Sequence, residues 1–310
     1  MKKFYKYSIV TILAVACVFS LTKQVMAATT VGLGTADSFA VLGGTAVTNV
    51  PTSVITGDVG LSPAAGSNYI GITTAQVTGT IYAVDGTGPA GSVNNPALLT
   101  TAKNDLTTAY LNAAGQTPTT TFVASDNQLG GQTLTAGVYR FGHASTANIT
   151  AASPLTLDAQ GDPNAVFIFQ ATSDLITASS SVVQLINGAQ ACNVFWQIGS
   201  SATLGSNSTF VGTIMALTNI TANTGATIQG RALARNAAVN LNANTITRTA
   251  CSTTGGGSGS GSSSGAAVPG LPNAGDNSDK NSTLWHIIIP TGSIVVALAS
   301  LYVARKKHVI

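Results

Sequence analysis

Residues 94–115 carry apolar side chains at Leu98, Leu99, Ala102, Leu106, Ala109, Tyr110 and Ala113. That spacing gathers them on one face of a helix, predicted over about 95–114. Asn before Pro96 suits the entry and Gly115 the exit. A helix with one apolar stripe needs a larger body to lie against, and that body reads as strands. "GVYRF" at 137–141, "AVFIFQ" at 165–170, "SVVQLI" at 181–186 and "NVFWQI" at 193–198 are rich in Val, Ile and aromatics, the types that fill pleated surfaces.

A looser periodicity runs through the second half of the chain. Five segments open with an aliphatic residue and continue with small, uncharged ones: 149–153, 176–180, 204–208, 220–224 and 241–245. Their starts lie 27, 28, 16 and 21 residues apart. That is too uneven for a regular array but fits coils of one solenoid with variable corners. Alternation along a strand predicts the first and third positions inward, the second and fourth outward, and the fifth at a turn. Strands stacked about 4.8 Å apart would turn the outward positions into a grid of small groups.

Only 7% of the 310 residues are charged, against roughly 25% in ordinary soluble domains. There is no Glu, and all ten acids are Asp. A chain so poor in ion pairs and in helix formers leans towards strands and turns. The ends read as processing segments. Lys2, Lys3 and Lys6, an apolar stretch over 8–21 and small residues before Ala27 predict a signal peptide over 1–27. Residues 28–251 are then one domain, 252–270 a Gly/Ser-rich linker, and 271–310 a C-terminal module. Within that module an apolar run over 284–303 is long enough to span a bilayer, with a basic tail behind it. Over residues 28–274, five Lys and Arg against eight Asp leave −3. Nothing there suggests nucleic-acid binding.

Residues 271–275, "LPNAG", followed by a spacer, an apolar span and basic residues, resemble the sorting signal of wall-anchored bacterial proteins. Leu271, Pro272, Asn273 and Gly275 match the LPxTG pattern, and Ala274 stands where Thr is usual. The resemblance implies a sortase cutting between Ala274 and Gly275 and joining the chain to peptidoglycan. A plain membrane anchor is the alternative. Cys192 and Cys251 remain after signal removal. An even pair in an exported chain predicts a disulfide, worth roughly 3–4 kcal/mol in the chain-entropy model; two buried thiols are the other possibility.

"LTLDAQGDPNAVFIFQ" at 155–170, "NGAQACNVFWQIGSSATLG" at 187–205 and "TGATIQGRALARNAAVNL" at 224–241 resemble the microbial ice-binding protein domain, and "VITGDVGLSP" at 54–63 fits its start. The resemblance implies a mainly β fold: a discontinuous right-handed β-solenoid of triangular cross-section with one long helix alongside. It implies adsorption to ice through one flat face, where active members show a Thr-Ala/Gly-x-Thr/Asn ladder. The matching or nearly matching positions are Thr150, Ser153, Thr177, Ser180, Thr221, Asn223, Thr224, Asn242, Asn244 and Thr245.

Two other functions compete. An enzyme needs paired carboxylates, a metal cluster or an activated nucleophile. Asp158 and Asp162 read as turn residues, His143 as a loop residue, and Arg231 and Arg235 as structural residues sharing an exposed strand face. No catalytic site, metal or cofactor is expected. The second rival is an adhesion module that presents the same flat face to surface glycans.

Overall fold

The computed structural model describes residues 27–252, except 51, 123–126, 143–145 and 152. The signal peptide, the sorting motif with its apolar span, nearly all of the linker, and His143 therefore lie outside the described residues.

Short parallel strands stack into three faces of a solenoid. The first face runs in the order Val93–Asn94, Ile81–Ala83, Asp58–Leu61, Phe39–Gly43, Thr227–Ala234, Thr209–Ala216, Val194–Ile198, Phe167–Ala171, Gly137–Phe141, Thr120–Phe122. The strand at 39–43 sits between one from residues 58–61 and one from residues 227–234. Early and late parts of the chain thus share one stack, which makes the solenoid discontinuous.

Most strands of this face are buried on both sides. Inward, Tyr139, Phe169 and Trp196 stack ring on ring, with centroids 5.4 Å and 3.9 Å apart. Trp196 Nε1 donates to the Val211 carbonyl at 3.0 Å, so the indole is buried without a lost hydrogen bond. Outward, Phe39, Leu42, Ile168, Phe195, Met215 and Leu233 meet helix α1, Pro96–Gly115. Its predicted stripe is the contact: Leu99, Ala102, Leu106, Ala109 and Ala113 are fully buried. Each such leucine contributes about 1.5–3 kcal/mol. Asn95 caps the helix by accepting from Leu98 N at 3.0 Å. At the other end Gln170 Nε2 donates to the carbonyls of Ala113 and Gln116.

The second face consists of strands of two or three residues: Ala147–Ile149, Leu175–Thr177, Ala202–Leu204, Ile220–Ala222, Val239–Leu241, Val47–Asn49 and Tyr69–Ile70. The third begins with Thr133–Thr135, Leu155–Asp158 and Val183–Ile186. It continues, through a bridge from Val182 to Thr209, into the front halves of the strands at 209–216 and 227–234. Thr245–Thr247, Val54–Thr56 and Val77–Thr78 complete it. Gly212 at φ 110° and Gly230 at φ 154° let the two long strands bend from the third face into the first without breaking.

The register corrects the five-segment alignment. Ile149 pairs with Thr177, Leu204 with Ala222, and Ala222 with Leu241. Ile176 pairs with Asn148 and points outward, 46% exposed. The aliphatic residues that open the segments are therefore not one inward row. The small polar runs that follow form the corner between the second and third faces. Ser180, Asn207, Gly225 and Ala243 all take positive φ there. Small side chains recur at this corner because successive coils stack closely.

Candidate functional site

The predicted ladder residues separate into three environments. Thr221 is the outward centre of its strand on the second face. Thr150, Ser153, Ser180, Asn223, Thr224 and Asn242 lie at or beside the corner. Thr245 opens a strand of the third face. Two are not outward at all. Thr177 is 4% exposed and its hydroxyl accepts from Gly205 N at 2.9 Å. Asn244 is 2% exposed and its amide donates to the carbonyls of Asn223 at 2.8 Å and Ala226 at 3.1 Å. Both hold the corner together.

Around Thr221 the register builds one outward row: Asn148, Ile176, Thr203, Thr221, Asn240, Thr48 and Ile70. Six strand spacings make it about 29 Å long. Thr48 donates to Asn240 Oδ1 at 2.9 Å, and Asn240 reaches Thr221 Oγ1 at 3.5 Å. Each residue of the row except Ile70, which ends its strand, is flanked within its strand by buried, mostly apolar neighbours. The alternation could have been found in the sequence: Ala-Asn-Ile, Ala-Thr-Leu, Ile-Thr-Ala, Val-Asn-Leu and Val-Thr-Asn are all triplets with a polar centre.

No residue of the row is charged. The described cations lie elsewhere. Arg231, 2% exposed rather than on an exposed face, donates to Asp37 Oδ1 at 2.6 Å, and Arg248 to Asp37 Oδ2 at 2.7 Å. Arg235 lies over the Tyr110 ring at 4.5 Å. Burial, aided by Arg235, lowers the Lys103 ammonium to about 8. Arg140 donates to Gln170 Oε1 at 2.8 Å in a groove of about 500 Å³ that Tyr110, Gln197 and Thr172 also line. The groove's Gln170 is spent on the helix end.

The acids have turn duties. Asp158 Oδ1 accepts from Gln160 N and Asn187 Nδ2, both at 2.8 Å, and Asp162 Oδ1 from Asn164 N at 2.8 Å. Asp174 accepts from Ser201 N, which holds its carboxyl below the usual carboxylate range. Among the described residues no group of three His, Cys, Asp or Glu could hold a metal ion. Cys192 and Cys251 form a disulfide, with Cα atoms 5.4 Å apart.

A three-faced parallel solenoid with a helix on one face and an open second face whose outward row is uncharged defines a class of parallel β-solenoid proteins. The family model described as ice-binding-like matches residues 41–247, and the chain belongs to that family. It is 45% identical to an ice-binding protein of Nostoc sp. (strain HG1), covering 78% of this chain and 82% of the relative. It is 42% identical to an ice-binding protein of Flavobacterium frigoris (strain PS1), covering 70% and 76%. The solved structure of an ice-binding protein from the Antarctic ascomycete Antarctomyces psychrotrophicus superposes with a TM-score of 0.62 at 36% identity, covering 72% of this chain and 100% of that one.

Proposed function

We propose that the chain is an exported, surface-held ice-binding protein that adsorbs to ice through its second face. The observation that carries this is the outward row centred on Thr221: long, uncharged, cross-linked by side-chain hydrogen bonds and flanked by buried neighbours. Its similarity to the ice-binding proteins of Nostoc and Flavobacterium frigoris supports it. Threonine fits the task because it is stiff at χ1 and offers a methyl and a hydroxyl together. Water ordered over such a row merges with the crystal. Adsorbed protein then forces ice to grow between anchor points as curved fronts, which lowers the freezing point. Thr224, Asn223 and Asn242 border the row at the corner. Catalysis forms no part of the proposal.

Ice-crystal shaping and freezing hysteresis test it. Shaping is expected from the native chain and is abolished by Thr221→Tyr, with the melting temperature unchanged. A folded native protein that shapes no crystal at high concentration refutes the proposal.

We further propose that residues 271–275 direct attachment to the cell wall, with the apolar span holding the chain in the membrane beforehand. Substituting Ala274 or Gly275 should release the protein from the wall fraction; unchanged attachment refutes the motif. The tether supports a second function. Nineteen Gly/Ser-rich residues reach only about 24 Å on average. A domain held so close to wall polymer is well placed for adhesion to surface glycans. Retention on immobilised wall glycans, lost in Thr221→Tyr, would favour that use of the face.

A further inference from the structure

The outward row of the first face changes character along the helix. Leu233 and Met215 are buried against α1. Their successors in register are Gln197, Gln170, Arg140 and Thr121. These polar residues reach the C-terminal end of the helix, where the groove of about 500 Å³ opens beside Tyr110 and Thr172. It belongs to the first face, not to the row of Thr221 on the second.

Arg140 is held in this groove through one edge only. Gln170, 2% exposed, accepts from Arg140 Nε at 2.8 Å. The same side chain donates to the carbonyls of Ala113 at 2.7 Å and Gln116 at 2.8 Å, so the helix end already has its partner. Arg140 is a poor cap beside it: its bond to the helix, from Nη2 to the Ala114 carbonyl, is 3.4 Å long. Nη1 takes up no bond among the described residues. A guanidinium fixed through Nε and open at its outer edge suits a carboxylate.

The groove offers that cation no counter-charge. No acid lines it, and both ion pairs among the described residues belong to Asp37 with Arg231 and Arg248. Asp174, two positions beyond Thr172, is turned to Ser201 N at 3.0 Å. Arg235, stacked on the Tyr110 ring at 4.5 Å, adds a second positive charge beside the groove wall. Gln197 is 7% exposed and lies beside the Tyr110 hydroxyl; its amide has no other partner among the described residues. Burying an amide with unused hydrogen-bonding capacity is costly unless a ligand or water meets it.

Two strand spacings separate the backbones of Arg140 and Gln197, about 10 Å. One sugar ring fits that interval. The Gln197 amide and the Thr121 and Thr172 hydroxyls both donate and accept, as sugar hydroxyls require. No acid is present to receive an ammonium, which disfavours amino acids. A bare inorganic anion would leave most of the groove unfilled.

We propose that this groove binds a carboxylated sugar, a uronic acid unit, with its carboxylate on Arg140 and its hydroxyls toward Gln197, Thr121 and Thr172. Gln170 acts through Arg140, as the residue that positions the guanidinium. The site rests on neither the ice-binding proposal nor the glycan use of the second face, and its occupation leaves the second face open.

Titration calorimetry of the native chain with D-glucuronate tests it, with D-glucose and inorganic phosphate as comparison ligands. Saturable binding of glucuronate is expected, weakening as salt rises, with no binding of glucose. Arg140→Gln should weaken it at least about tenfold, the loss expected of a charge-assisted pair. Thr172→Trp, at an exposed position, should fill the groove and abolish binding with the melting temperature unchanged, and Thr221→Tyr should bind as the native chain does. Competition by polygalacturonate identifies a polysaccharide as the source of the sugar; competition by monosaccharide acids alone identifies a free one. No glucuronate binding, or undiminished binding by Thr172→Trp, overturns the site. Phosphate bound as tightly as glucuronate overturns the assignment to a sugar.

Discussion

The hydroxyl of Thr48 donates to the side-chain oxygen of Asn240 at 2.9 Å, across 192 residues of sequence. This bond lies on the water-facing side of the second face, at the junction where the early coil joins the late ones. It ties the outward row together where the chain is most discontinuous.

Asn240→Ala should therefore cost little stability, about 1 kcal/mol, because the bond is only partly buried. It should still reduce ice-crystal shaping, since Thr48 and Thr221 lose their shared partner. Denaturant unfolding and hysteresis on the same sample separate the two effects.

Asp37 is the shared counter-charge of Arg231 and Arg248, and its backbone carbonyl also accepts from both guanidinium Nε atoms. Arg231 is buried while half of the Asp37 side chain faces water. Asp37→Asn leaves a buried cation without its partner charge, which costs about 3–5 kcal/mol in fully buried pairs. The exposure of Asp37 places the expected loss at the lower end, about 3 kcal/mol. Urea unfolding of the single variant measures it.

Removing the Cys192–Cys251 bridge, whose ends are 59 positions apart in the sequence, should lower stability by about 3–4 kcal/mol. The bridge also secures the chain where the linker begins. Thermal unfolding with and without reductant, beside the Cys192→Ser/Cys251→Ser double variant, checks the loss.

The Lys103 ammonium has a folded-state value near 8, below its ordinary 10.5. Between those values the unfolded chain binds the proton that the folded chain has released, so stability rises with pH. The rise begins near pH 8. It is opposed above about pH 10, where unfolded tyrosines ionise while burial holds Tyr110 and Tyr139 protonated. Lys103→Met should remove the rise between pH 8 and 10, as melting temperatures over that interval would reveal.

Helix α1 was legible because its stripe is local: residues three and four apart share a face whatever they pack against. The exposed flank of one strand face was partly legible for a similar reason, and Thr221 was found that way. The register was not. Ile149 and Ile176 begin similar sequence runs, yet one faces the core and the other faces water. Which residue pairs with which depends on corners whose length varies from coil to coil, and a one-residue slip reverses every side chain.

The sequence by itself determined a mainly β chain, poor in charge, with one packed helix and two cysteines left to pair or stay free. Each follows from composition, count or short-range periodicity. Only the tertiary structure decided that Thr177 and Asn244 are corner braces and that Thr48 joins the row of Thr221. It also gathered Thr56, Thr78, Thr245 and Thr247 on one surface. Those neighbours come from opposite ends of the domain, and nothing local in the chain records which coil will stack on which.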